Sequence, residues 1–184
     1  MVKTMVALCS LIFAAMSLQA QKAPDAASPL AACGDENTTF SVTRGAVGDS
    51  ATAPTADTAK VYIIELYDLN DNGRINRPTL LDGLDGKWLG ATQGFTYLST
   101  LVVPGVHHLC SRWQSRMRER SKQISLNDFE AVAGKRYYFR AQINVEGGVG
   151  DAPGPAFIDL QQVSEDEGRF LVSKAAQSIS KQHK

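Results

Sequence analysis

Between Leu84 and Arg140 the chain alternates short apolar runs with two-residue turn pairs, reading DGKWLG, GFTYLSTLVVPGVHHLC and LNDFEAVAGKRYYFR. Such runs are too short and too strictly alternating for amphipathic helices, whose apolar positions recur every three to four residues. Period-two runs bounded by Asp-Gly, Pro-Gly and Ala-Gly pairs predict antiparallel β-structure, because these pairs supply the backbone angles that reverse a strand. The fold class expected is mainly β.

Strands are expected at Thr38–Thr43, Val61–Tyr67, Thr79–Leu81, Lys87–Ala91, Thr96–Val103, Val106–Trp113, Ile124–Val132, Arg136–Val145 and Phe157–Val163. Asp82-Gly83 and Asp85-Gly86 read as turns, and Pro104-Gly105 and Ala133-Gly134 as the tips of two hairpins. Arg44–Asp57 is small, polar and poor in apolar residues, which reads as a linker or exposed loop. The strands within 60–163 predict a single antiparallel β-sandwich of about seven strands, with Thr38–Thr43 a short strand of the arm. In the tail, Ser164 and Glu167 have capping-box spacing, and Phe170, Leu171, Lys174, Ala175, Ser178 and Ile179 follow at helical spacing. One C-terminal amphipathic helix is expected there.

The first twenty residues have the layout of an export signal: Lys3, an apolar core from Val6 to Met16, and Leu18-Gln19-Ala20 before the cleavage point. The apolar run is too short to span a bilayer as a retained helix. Leu30-Ala31-Ala32-Cys33 offers the alternative of a lipidated Cys33, although the polar segment Gln21–Pro29 separates it from the apolar core. Removal of residues 1–20 takes away Cys9 and leaves Cys33 and Cys110. In an oxidising compartment the expectation for this pair is a disulfide that tethers an N-terminal arm to the β-domain. The expected organisation is a signal over 1–20, an arm and linker over 21–59, the sandwich over 60–163, and helix and tail over 164–184. The product would be periplasmic or secreted and not membrane-spanning.

Charge excludes some partners. The whole chain carries 19 basic and 19 acidic residues, and losing Lys3 with the signal leaves 18 against 19. A chain so balanced projects no long-range field toward nucleic acid. Arg112, Arg116, Arg118, Arg120 and Lys122 form a local basic run that reads either as an edge-protecting charged strand or as a patch for polyanions.

The order VYIIE, DGKWLG, TYLSTLVVPGVHHL and GKRYYFR resembles a bacterial family of exported or lipid-anchored proteins known only as a domain of unknown function. The resemblance covers roughly Lys60–Lys174; the EDEGRFLVSK segment is similar too. More distantly, the pattern is similar to transthyretin-like and carbohydrate-binding-like sandwich modules. The resemblance implies a fold and an envelope address, with no activity attached.

Asp68, Asn70 and Asn72, followed by Gly73, match the first half of a calcium loop. Position twelve is Thr79 rather than an acid, so an Asn/Asp/Gly turn is the competing reading. His107 and His108 are adjacent in a strand, point to opposite faces and cannot share one metal. Tyr137 and Phe139 fall on the core face with Ala141 and Ile143, which leaves Tyr138 facing outward. No Gly-x-Ser-x-Gly elbow or zinc-binding set is present in the sequence, so no catalytic residue and no cofactor is expected. The functional expectation is a non-enzymatic binding or structural accessory module with an unidentified envelope or surface partner. A calcium- or carbohydrate-binding protein is the alternative.

Overall fold

The computed structural model describes residues 32–49, 52–66, 68–69, 75–116, 120, 122–145 and 155–183. Asn70 and Asn72 of the calcium-loop candidate lie outside them, as does the side chain of Asp68, and so do the expected signal over 1–20 and the Leu30-Ala31 part of the candidate lipidation motif. The elements are β1 (Thr39–Val47), β2 (Ala59–Leu66), β3 (Asp68–Leu69), β4 (Ile75–Asn76), β5 (Thr79–Leu84) and β6 (Lys87–Gln93). They continue with β7 (Thr96–Val102), β8 (Gly105–Gln114), β9 (Ile124–Ala131), β10 (Arg136–Val145), β11 (Ala156–Val163), α1 (Glu165–Lys174) and β12 (Ala176–His183).

Two sheets face each other. One has the order β1-β12-β7-β2-β10-β11 and the other β6-β5-β8-β9, while β3 and β4 form a two-residue ladder apart from both. Alternation in β2 puts Val61 and Ile63 inward, and in β10 it puts Phe139, Ala141 and Ile143 inward. These meet Leu80 of β5, Leu109 and Trp113 of β8, and Phe129 of β9. Full burial of each such aliphatic or aromatic side chain is worth about 1.5–3 kcal/mol, so this intersheet layer holds the domain together.

The sandwich is mainly antiparallel as expected, but β10 runs parallel to β2 and β12 parallel to β7. Asp85-Gly86 does close a two-residue hairpin between β5 and β6, with φ of 49° and 81°, the left-handed pair of a type I′ turn. Asp82-Gly83 is not a turn: it sits inside β5, where the ladder to β6 shifts register. The two expected hairpins at Pro104-Gly105 and Ala133-Gly134 are corners instead. β7 pairs with β2 and β12 while β8 pairs with β5 and β9, and β9 and β10 likewise belong to different sheets. A Pro-Gly or Ala-Gly reversal is compatible with strands that pair or with strands that stack. Burial decides between them, because both sides of each corner carry inward apolar faces that need the opposite sheet.

The tail is corrected as well. Helix α1 is capped by Ser164, whose hydroxyl accepts the Glu167 amide at 3.2 Å, but it ends at Lys174. Ala176–His183 then inserts as a strand between β1 and β7. Its buried positions, Ala176 and Ser178, alternate, and Ile179 is 58% exposed; the helical reading of Ser178 and Ile179 fails because β1 and β7 offer unpaired edges. The six-stranded sheet thus recruits β1 from the expected arm and β12 from the expected tail, beyond the 60–163 boundaries.

The helix covers the outer face of that sheet. Val172 and Ala175 pack with Tyr62, Ile64, Tyr97 and Tyr138. Tyr138 is therefore buried rather than outward. Gly168 permits this approach, since a Cβ there would lie 2.1 Å from Cγ of Tyr138.

Candidate functional site

The Cys33–Cys110 disulfide is formed, with its Cα atoms 5.3 Å apart. It lays the segment from Ala32 to Thr38 across the outer side of β5, β6 and β8. Backbone and ring bonds extend the clasp: Gly86 donates its amide to the Ala32 carbonyl at 3.2 Å, and the Trp88 indole donates to the Asp35 carbonyl at 2.8 Å. Gln114 pairs with Phe40 as a strand residue would, accepting its amide at 2.6 Å and donating to its carbonyl at 2.8 Å.

Between this arm and β8 lies a groove of about 650 Å³, whose lining includes Cys33, Asn37, Thr39, Arg112, Trp113 and Lys122. Arg112 is fixed in two ways. Its guanidinium lies 5.0 Å from the Trp88 ring centre and donates to the Thr38 carbonyl at 3.2 Å. Burial lowers its pKa from the ordinary value, while Glu36 and Asp35 pull the other way. Arg120 sits 5.1 Å from the Trp113 ring centre. Part of the basic run read from sequence therefore lines this groove, Arg112 and Lys122, with Arg120 against the ring of Trp113. Arg118 lies outside the described residues.

On the opposite face, the chain after β1 forms a strap. Tyr97 donates its hydroxyl to the Gly48 carbonyl at 2.8 Å, Tyr62 to the Asp49 carboxylate at 2.6 Å, and Lys60 its ammonium to the Thr52 carbonyl at 2.5 Å. A second cavity, about 400 Å³, opens between strap and helix and is lined by Asp49, Arg136, Tyr138 and Arg169, among others.

Two acids lie between the sheets. Asp82 of β5 is fully buried and accepts from Ser111 at 2.6 Å and Thr92 at 2.9 Å. Burial raises its pKa to about 7, with those two hydroxyls working in the other direction. Glu65 of β2 is equally buried, and neither carboxylate oxygen has a hydrogen-bond partner. Burial raises its pKa to about 8; the Gly94 amide and Thr92 hydroxyl lie near enough to offset part of the effect, and Asp82 adds to it. A sequence signal for Glu65 existed: in VYIIE it shares the inward parity of Val61 and Ile63.

His107 and His108 diverge as expected. His107 is buried, with Nδ1 2.6 Å from Asp85 and Nε2 2.8 Å from the Val103 carbonyl, whereas His108 is exposed. An acceptor at each ring nitrogen suits the imidazolium, in which both nitrogens donate. Burial works against the charge, but these two bonds and the Asp85 charge raise the His107 pKa overall.

Among the described residues, no three His, Cys, Asp or Glu side chains converge as a metal site, and no helix is long and apolar enough to cross a membrane. No protein-family model, curated protein or solved structure matches this chain.

Proposed function

We propose that this protein is an exported, non-enzymatic accessory module of the bacterial envelope or surroundings, and that it binds a polar, acid-bearing ligand in the groove beneath the disulfide-tethered arm. The observation that carries this reading is the convergence of Arg112 and Lys122 on one 650 Å³ groove beside Asn37 and Thr39. Arginine held in place by an aromatic face and a carbonyl loses little entropy when it meets a carboxylate or phosphate. Asn37 and Thr39 add hydroxyl- and amide-type hydrogen bonding suited to a saccharide backbone. The disulfide supports export, because such bonds persist in oxidising compartments. Binding is favoured over catalysis because the groups with the acid–base character of a catalyst, Glu65 and Asp82, are sealed between the sheets away from any substrate.

The test is a titration of the isotope-labelled protein with tetragalacturonate and with its neutral methyl ester, followed by amide NMR shifts. Expected are shifts confined to Cys33–Thr39 and Arg112–Ser115 with the acid, little response to the ester, and a Kd weakened roughly tenfold or more in Arg112→Gln. Shifts that map elsewhere, or none at all, would remove the groove from consideration. Equal binding of the ester would leave the groove standing and remove its preference for acids.

A further inference from the structure

Glu65 of the six-stranded sheet shares the inward parity of Val61 and Ile63, and Asp82 of the four-stranded sheet that of Leu80, so the two acids face one intersheet space from opposite sides. Both residues are fully buried. The surroundings of the pair are polar but uncharged. Ser111 of β8 and Thr92 of β6 each donate to Asp82, and the Gly94 amide lies near Glu65. Two cations lie at the Gly94 backbone: Arg44 donates to the Gly94 carbonyl, and the Arg77 stem lies beside that glycine. Neither acts on Glu65 or Asp82, whose shifts come from burial, hydrogen bonds and, for Glu65, Asp82 itself.

A buried carboxylate with no cation and no hydrogen bond has one low-cost form, the neutral acid. A protonated Glu65 is neutral beside Asp82, and its O–H adds a donor among the carboxylate oxygens of the pair. Two ionised acids instead place like charges across the space between the sheets, in a medium that screens them poorly.

We propose that Glu65 and Asp82 form a proton-dependent lock between the two sheets, closed while the pair holds its protons and driven apart when both ionise. The sign follows from the direction of the shifts. Both acids hold protons more tightly in the folded than in the unfolded chain. Their contribution is complete below the ordinary carboxylate range and is lost as pH rises through about 7 and 8, the folded values. His107, at the Asp85 turn, drifts in the same direction and is the background to be subtracted.

The experiment is a series of thermal melts of the full chain from pH 5 to pH 9, with hydrogen exchange of β5 and β8 amides at both ends of the range. Expected is a Tm lower by roughly 5–10 °C at pH 9 than at pH 5, with faster exchange in β5 and β8. Glu65→Gln should flatten most of that slope, and the Glu65→Gln/Asp82→Asn pair should flatten it further, leaving the part due to His107. A slope unchanged in both variants overturns the proposal. So does a rise in Tm at pH 8 on adding millimolar calcium or magnesium that Glu65→Gln abolishes, since the pair would then be a cation site. Infrared spectra of the unaltered protein keep the idea testable should the variants not fold. The carbonyl stretch of protonated carboxylic acids must persist at pH 6 and fade by pH 9, and its absence at pH 6 also overturns the lock.

Discussion

The arm and the strap do the same work by different chemistry. Each lies against the outer side of a sheet, the arm at Cys33–Thr38 and the strap at Gly48, Asp49 and Thr52. The arm is fixed chiefly by one covalent bond, from Cys33 to Cys110. The strap is fixed by separate hydrogen bonds from Tyr97, Tyr62 and Lys60. A crosslink acts mostly on the unfolded chain, by removing conformations that the native state never visits. A buried hydrogen bond acts on the folded chain, and its worth is only what remains after two groups give up water. The arm should therefore fail all at once and the strap by degrees.

Breaking the crosslink is the most severe test of that contrast. The bond closes a separation of 77 residues, for which chain entropy gives about 4–5 kcal/mol. Cys33→Ala should lower stability by that order, a fall of roughly 10 °C or more in Tm, measured by calorimetry at pH 6. Dithiothreitol should give the same fall in the unaltered protein and no further fall in the variant. A loss below about 1 kcal/mol would place the arm's anchorage in its backbone bonds and the Trp88 indole instead, and the contrast would dissolve.

The strap's bond to a carboxylate comes next. Tyr62 donates to an ionised acceptor, Asp49, and burial together with that carboxylate raises its pKa from the ordinary tyrosine value, so it remains a donor across the working range. Tyr62→Phe keeps the ring that stacks on Tyr138, with centroids 4.8 Å apart, and removes only the hydroxyl. The expected cost is about 1.5–3 kcal/mol by urea denaturation, because the acceptor is charged. A cost near zero would mean that water replaces the phenol at Asp49.

The two regions also differed in how far they could be read from sequence. The arm was legible from arithmetic: with Cys9 assigned to the expected export signal, Cys33 had a single partner to find. The strap was not, because Arg44–Asp57 has no apolar pattern, and its anchors are polar tips, the hydroxyls of Tyr97 and Tyr62 and the Lys60 ammonium, on strands that only the assembled sheet places beneath it. A similar limit explains the corners. Pro104-Gly105 and Ala133-Gly134 announce a reversal, but whether the flanking strands pair or stack depends on a sheet assembled from distant segments. Asp82 looked like a turn residue beside Gly83, and only the fold turns it into a buried acid opposite Glu65. Ala176–His183 has a weak pattern of its own and becomes a strand because β1 and β7 leave a gap of strand width. The basic run could be located from sequence, but of the two groups that hold Arg112 in place, Trp88 is brought by the β6-β5-β8 sheet and Thr38 by the disulfide-tethered arm.

The smallest effect is the most informative about degrees of failure. Tyr97 donates to a neutral acceptor, the Gly48 carbonyl, at 2.8 Å, so Tyr97→Phe should cost only about 0.5–1.5 kcal/mol. The rings of Tyr62 and Tyr97 lie 6.1 Å apart and their acceptors are adjacent residues. Once one bond is lost, Gly48 and Asp49 are held less firmly, and the other bond must order a looser segment. The Tyr62→Phe/Tyr97→Phe double variant should therefore cost less than the sum of the single changes, by roughly 0.5 kcal/mol or more, as expected for residues that share a partner segment. The midpoint of urea unfolding for the four proteins of that cycle gives the coupling directly. Strict additivity would mean that Gly48 and Asp49 are positioned independently, by β1 before them rather than by the tyrosines beneath.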